Sequence, residues 1–353
     1  MGDRTETLFP ATDPGGLMAA IVDHLEGEHD LTFETDPDGT RSIEMDGTRL
    51  VFRPDAAGVR AEILVPQPAM LGFFKEELVG LVARFDPDAA GAARWQGETA
   101  EAGALPPNFR VLEVRESREI FDGMVRVTLT HRDVESLARG GVHLRLMLPA
   151  NPGGVPVWPR MAANGVPDWP QGADKLHARF VTLRHVRPDA GEVDIDLVRH
   201  EGGLISDWAR TARPGMQAGI MGPAGEAVLP ERAGVFLACD GTGLPAMARL
   251  LESGGPEASG DMVLALPRGV DPASYLPRTG LRLHVLPPER FEAEVMGLAR
   301  TLTGPGKTRS AFFAGEFDTA QTMRALFRGD LGLGKGLQMS VAYWRRGVPG
   351  HGS

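Results

Sequence analysis

The rhythm of this chain changes once, and that change limits its architecture more than any single motif. Between Asn108 and Pro230, six segments alternate in polarity with a period of two: VLEVRESREI, MVRVTLTH, VHLRLMLP, RFVTLRHV, EVDIDLVRH and MQAGIMGP. Glycines and prolines interrupt them at short intervals, so each reads as a half-buried strand that ends in a turn. Strands of this kind suit a small closed antiparallel barrel, which leaves no edge exposed. After Gly234 the apolar runs shorten to GVFLACD, MVLALP, LRLHVLP and SAFFAGE, with helical spacing between them in LPAMARLLES, ERFEAEVMGLARTL and TAQTMRALFRG. Strands that alternate with helices predict a parallel sheet covered on both faces. The expected division is a six-stranded barrel over 108–232 and an α/β nucleotide-binding domain over 233–353.

Ahead of the barrel lies PDAAGAARWQGETAEAGALPPN, residues 87–108, rich in alanine, glycine and proline and without apolar periodicity. It reads as a linker, with 91–107 separating a small first domain over 1–90. In that domain GLMAAIVDHLEGEH and MLGFFKEELVGLVARF have helical spacing. RSIEMDGTRLVFRP and GVRAEILVP alternate as three strands around an Asp46-Gly47 turn, giving an α-β-β-β-α unit. The first residues, MGDRTETLFPATDPGG, are charged and broken by proline, and no apolar run approaches the ~20 residues that span a bilayer. A cytoplasmic protein with no membrane partner is expected. The net charge of −10 argues against a general nucleic-acid binder, since counterion release rewards a basic surface. Cys239 is the only cysteine and the nine histidines lack HxxxH or HxH spacing, so neither a disulfide nor a metal centre is expected.

A barrel followed by a nucleotide-type α/β domain is the layout of flavoproteins in which the barrel holds the flavin and the second domain delivers a nicotinamide. A flavin dinucleotide needs its pyrophosphate neutralised and a hydrogen-bonding group near the ring nitrogen that takes up hydride. Arg179 and Thr182 in RFVTLR can meet these two needs. HEGGLISDWARTA offers a helix start for the pyrophosphate, with Gly202 and Gly203 allowing close approach, Ser206 in the first turn and His200 near the adenine or ribose. In GVFLACDGTGLPAMARLL a strand runs into a glycine-rich turn and then a helix. Asp240, Gly241, Thr242, Gly243 and Pro245 are thereby expected against the nicotinamide dinucleotide. Arg268, after the next strand, would sit by the adenosine ribose and favour the 2′-phosphate of NADPH, with NADH possible. Gly315 and Glu316 would complete the cleft at the carboxyl ends of the strands.

HLRLMLP, RFVTLR, DIDLVRHEGGLISDWA, RPGMQAGIMGPAG, ACDGTGLPA, FFAGE and YWRRG, in that order, resemble the siderophore-interacting protein family from about residue 108 to the end. The resemblance implies an NAD(P)H-dependent ferric-siderophore reductase with FAD on the barrel. The first domain resembles a small domain of unknown function sometimes fused ahead of that family. In the family the strand motif is Arg-x-Tyr-Thr, its tyrosine packing on the flavin. Val181 stands at the tyrosine position here, so weaker flavin binding is expected unless Phe180 or another ring substitutes. The family's Ala-Ser-Arg-Trp is Ile205-Ser206-Asp207-Trp208 in this chain, a change of charge near the phosphate site. Gly241 and Gly243 also depart from the family's Asp-Glu-Thr-Ala-Leu-Pro-Ala.

After Asp330 the chain has no acidic residue but carries Lys335, Arg345 and Arg346, with Tyr343 and Trp344 beside them. Lys335, Trp344, Arg345 and Arg346 are expected either to form a basic, aromatic lip that seats an anionic ferric siderophore, or to end a strand with Trp344 inward and its arginines in water. The expected activity is reduction of Fe(III)-siderophore to release Fe(II), with Thr182 beside the flavin. The alternatives are a redox-inactive flavin- or siderophore-binding module and a flavin reductase with another acceptor. The sequence does not give the oligomeric state.

Overall fold

The structure, a computed structural model, describes residues 3–29, 32–45, 47–66, 70–97, 100–138, 141–149, 155–200, 203–224, 228–334 and 336–348. It divides into two compact units, one of residues 1–109 with 153–175 and one of 110–152 with 176–353.

In the first unit, strand β1 (Asp3–Pro10) leads into helix α1 (Pro14–His29), then β2 (Glu34–Thr35), β3 (Arg41–Met45), β4 (Thr48–Asp55), β5 (Gly58–Val65), α2 (Leu71–Phe85) and α3 (Pro87–Ala92). The five strands form one sheet ordered β1-β5-β4-β3-β2. Its buried face holds Phe9, Phe52, Val59 and Ile63 against Leu17 and Ile21 of α1 and Leu78 and Val82 of α2.

Two features here depart from the sequence reading. The first residues, read only as charged and proline-broken, form a full strand paired with β5. Their inward positions are Thr5, Thr7 and Phe9, so two of three core-facing residues are polar and conceal the alternation. The threonine hydroxyls are satisfied, Thr5 donating to the Gln96 carbonyl at 2.8 Å and Thr7 to that of Arg94 at 3.0 Å. Those partners belong to the second departure. The start of the expected linker forms α3 and then runs beside β1, burying Ala93 and Trp95 in the core. One tryptophan among alanines and glycines gives no periodic signal, yet it carries a large apolar area into that core.

The second unit begins with β6 (Phe109–Phe121), β7 (Met124–Thr130), the short helix α4 (Glu135–Ala138) and β8 (His143–Pro149). The stretch that follows, with β9 (Arg160–Met161) paired to β10 (Pro167–Asp168), belongs to the first unit, where Trp169 donates to Glu76 at 2.6 Å. The chain then continues through β11 (Leu176–Arg187), β12 (Glu192–Val198), α5 (Leu204–Thr211) and β13 (Gln217–Ala224). Six strands close into a barrel in the order β11-β12-β7-β6-β13-β8, as the six alternating segments predict. Its interior is filled by Leu112, Val127, Leu146, Leu183 and Ile195 among others.

The α/β part follows as β14 (Ala233–Cys239), α6 (Leu244–Gly254), β15 (Ser259–Ala265), β16 (Gly280–Leu286), α7 (Pro288–Leu302), β17 (Ser310–Glu316), α8 (Phe317–Ala325) and β18 (Gln338–Trp344). The sheet is parallel in every pairing and ordered β16-β15-β14-β17-β18. The strand order reverses between β14 and β17, and in open parallel sheets that reversal opens a crevice at the carboxyl ends. Cys239 and Glu316 end these two strands.

Candidate functional site

The outward and inward faces of β11 divide the residues of RFVTLR. Val181 and Leu183 pack with the barrel core, and Arg179 shares their parity near the strand's start. Phe180 and Thr182 point the other way. Thr182 is buried, and its hydroxyl makes no well-formed hydrogen bond; the Tyr343 phenol beside it is at best a weak partner. Phe180 is 47 % exposed, with the Arg145 guanidinium 5.2 Å from its ring centroid. Arg179 donates to its neighbour's carbonyl at Ala178 and has no carboxylate partner among the described residues. Arg179 and Thr182, three apart in sequence, therefore serve opposite faces of one strand.

The loop before α5 is held by Ser206, whose hydroxyl accepts from His200 N at 2.8 Å and donates to His200 O at 2.9 Å. Both roles of that side chain are filled, so it does not cap the first N–H groups of α5. Gly203 stands at the N-cap position with no side-chain bond, and a Cβ there would meet the ring of the exposed His200 at 2.0 Å unless that ring turned away. Asp207 pairs with Arg210 at 3.6 Å on the exposed side. Gly202 lies outside the described residues.

At the reversal of strand order, Asp240 collects the loop after β14. Its Oδ1 accepts from Thr242 N at 2.8 Å, the Thr242 hydroxyl at 2.5 Å and Gly243 N at 3.3 Å, while Trp344 Nε1 donates to Oδ2 at 2.7 Å. Burial pushes this carboxyl up from its usual range despite those four bonds. Gly315 lies against the same carboxylate, since a Cβ there would sit 2.9 Å from Asp240 Oδ2. Gly243 approaches β17 so closely that a Cβ would be 2.6 Å from the Ala314 carbonyl. Gly241 faces Val198 of the barrel, and Pro245 lies in the first turn of α6, where a missing N–H costs nothing. Cys239 is fully buried, and burial followed by the Asp240 charge pushes its thiol well up.

The structure thus brings Thr182, Asp240, Thr242, Gly315 and Trp344 around two residues that the sequence reading did not place in the site, Tyr343 and His143. Tyr343 stacks edge-on against His143, which pairs with Thr182 across β8 and β11. Burial pushes the Tyr343 phenol well up, and burial with the Arg249 charge pulls the His143 imidazole down. Both side chains are accordingly neutral near pH 7, in a desolvated setting where polar contacts gain strength. Tyr343 was visible beside Trp344, but nothing local tied His143 to it.

Other expected residues are engaged by partners of their own, Glu316 although it pairs with Trp344 across β17 and β18. The Glu316 carboxylate accepts from Asp318 N at 2.6 Å, Thr319 N at 3.1 Å and Arg346 N at 3.3 Å, capping α8 and fixing the chain end. Arg268 is 77 % exposed beside Glu289 at 3.6 Å. Arg345 lies over the Phe317 ring and Arg346 pairs with Glu292, so these arginines are engaged with the α/β part itself. Lys335 lies outside the described residues.

A flavin dinucleotide fits this arrangement. Thr182 offers a hydroxyl without a well-formed bond, Phe180 an exposed ring on the same face, Arg179 a guanidinium with no carboxylate partner among the described residues, and α5 a glycine-led N-terminus without a side-chain cap.

Comparison with known proteins agrees with the geometry. Residues 113–227 match the siderophore-interacting FAD-binding domain, and residues 232–347 match the siderophore-interacting protein model. The chain belongs to the siderophore-interacting protein family. Family members bind FAD on the first of these domains and NAD(P)H on the second, and are flavin-dependent oxidoreductases. Among curated relatives, the ferric vibriobactin reductase ViuB of Vibrio cholerae is 28 % identical over 67 % of this chain and 90 % of its own. The NADPH-dependent ferric-chelate reductase of Escherichia coli is 32 % identical over 41 % of this chain and 57 % of its own. Among solved structures, a siderophore utilization protein from T. fusca aligns over 72 % of this chain and 98 % of its own, with 28 % identity and a TM-score of 0.59. The siderophore-interacting protein SipS from Aeromonas hydrophila aligns over 68 % and 93 %, with 27 % identity and a TM-score of 0.54.

Proposed function

We propose that this member of the family uses NADPH to reduce ferric siderophores through FAD bound on the barrel, releasing Fe(II). The observation that carries the reading is the buried hydroxyl of Thr182, which makes no well-formed hydrogen bond and has only the Tyr343 phenol beside it, where the barrel meets the reversal of strand order. A buried hydroxyl without a partner costs about 1–3 kcal/mol, and a ligand atom that accepts or donates there recovers part of it.

Bound flavin supplies the conversion of one hydride from a nicotinamide into single electrons for ferric ion. The protein's own task is positioning. Thr182 orients the ring edge, Phe180 in place of Val181 offers the aromatic face, and Arg179 with the first turn of α5 neutralises the pyrophosphate. Asp240 holds the Thr242-Gly243 turn open for the nicotinamide, and Gly243 and Gly315 leave the room that a Cβ would fill. Neutral His143 and Tyr343 close the inner side and keep water out. Arg268 meets a 2′-phosphate by giving up an exposed pair with Glu289 that is worth at most about 1 kcal/mol.

An anionic ferric siderophore approaches past Trp344 and the basic chain end. Hard oxygen donors hold Fe(II) less tightly than Fe(III), so reduction loosens the metal. No helix among the described residues is long and apolar enough to cross a membrane. We place the protein in the cytoplasm, where NADPH is at hand. The test is direct: purified protein with added FAD, NADPH and a ferric siderophore produces Fe(II), trapped by a chromogenic chelator. A rate equal to the control without protein refutes the proposal.

A further inference from the structure

A cavity of about 410 Å³ lies between the far half of β11 and helix α6. Arg126, Arg184, His185, Arg187, Arg249 and Glu252 line it, while Arg179, Phe180 and Thr182 do not. Two of its arginines already have their own counter-charges. Arg126 is paired with Asp196 at 2.7 Å, and Arg187 with Asp194 at 2.6 Å and Glu192 at 2.9 Å. The other two share one carboxylate. Arg184 reaches Glu252 Oε1 at 2.7 Å, and Arg249 Nε lies 3.6 Å from Oε2.

Arg184 is only 3 % exposed, and its Nε–H has no partner. Its remaining contacts are the Tyr275 carbonyl at 3.4 Å and the Tyr275 ring, whose centroid is 5.3 Å away. Arg249 is fixed by a bond to the Leu183 carbonyl at 2.7 Å. Burial pulls its guanidinium below the usual value; Glu252 opposes that, and the like charge of Arg184 adds to it. Taken by themselves, these two anchored guanidiniums share one carboxylate and leave one buried donor unused, although Arg187 with its two carboxylates balances the cavity as a whole. A guanidinium fork is shaped for the paired oxygens of a carboxylate or phosphate.

We infer that this cavity is a second binding site, separate from the flavin groove, for a small ligand bearing carboxylate or phosphate oxygens held between Arg184 and Arg249. Glu252 partly occupies the position of that anion and moves aside, toward solvent, when the ligand enters.

Isothermal titration calorimetry of the purified full chain tests the site, at ionic strength held constant with potassium chloride. Inorganic phosphate and citrate are the probes, and acetate is the single-carboxylate control. One saturable site for phosphate or citrate is expected, and the tighter of the two identifies the chemistry. Glu252→Gln removes the internal competitor and tightens binding about tenfold. Arg249→Gln weakens it about tenfold, and Arg179→Gln leaves it unchanged. Heats no larger than those of acetate, or binding lost in Arg179→Gln and kept in Arg249→Gln, overturn the inference. If Arg249→Gln fails to fold, as its circular dichroism melt shows, the Glu252→Gln arm decides alone: no tightening there overturns it.

Discussion

Replacing Thr182 by valine separates the cost of this hydroxyl to the fold from its use in the site. Valine keeps the β-branched shape that suits a strand and deletes only the oxygen. In the flavin-free protein the hydroxyl is buried with no well-formed hydrogen bond, and a wholly unsatisfied hydroxyl costs about 1–3 kcal/mol. The Tyr343 phenol beside it softens that cost, so the lower end applies and Thr182→Val stabilises the apoprotein by about 1 kcal/mol. For a unit of this size that raises the melting temperature by about 2–4 °C, measurable by calorimetry on flavin-stripped protein. The flavin-loaded enzyme responds in the opposite sense. An ordinary hydrogen bond contributes about 0.5–1.5 kcal/mol, so its loss slows flavin reduction by NADPH about two- to tenfold in stopped flow. A variant that melts below the parent without flavin refutes the orphaned-hydroxyl argument. One that is reduced at the parental rate when saturated with FAD refutes the catalytic placement.

Phe180→Ala weakens FAD binding about three- to tenfold, read by quenching of flavin fluorescence, and leaves the apoprotein melt within about 1 °C because the ring is half exposed. Arg179→Gln lowers affinity for FAD while leaving riboflavin binding unchanged, since the guanidinium serves the phosphates alone; equal losses for both ligands contradict that role. For Asp194, burial opposes the charge, but bonds from Arg187, His185 and Thr128 outweigh it and hold the carboxyl well below the usual range. A depressed folded pKa stabilises above the unfolded value, about 3.9, and that stability is lost as pH falls through the folded value. Asp194→Asn should therefore cost about 3 kcal/mol at pH 7 and flatten the decline of melting temperature below pH 4. An unchanged acid limb contradicts the pairing.

The seven motifs that suggested the family were local, and so were the strands of the barrel and the strand-helix alternation after it. Periodicity records which residues face a core, whatever that core turns out to be. What the sequence hid were elements whose inward residues break the pattern. Strand β1 turns Thr5 and Thr7 inward, and residues 93–96 pack through a single tryptophan. In the site, the family resemblance directed attention to Val181, whereas strand parity packs that residue, partly buried, against the barrel core and puts Phe180 on the other face with Thr182. Glu316 looked like a ligand residue because it ends a strand in the crevice, yet three backbone N–H groups engage its carboxylate.

The sequence by itself determined the order of parts: a barrel wall bearing Arg179 and Thr182, a helix start led by Gly203, and a glycine-rich turn after β14. Alternation and turn chemistry act over a few residues, so one chain suffices to read them. Only the tertiary structure decided that Trp344, about a hundred residues downstream, closes on Asp240, that His143 and Tyr343 flank Thr182, and that Arg184 and Arg249 share one carboxylate. These contacts join strands and helices distant in sequence. Closure of the barrel and stacking of the parallel sheet set them, and no local propensity encodes them.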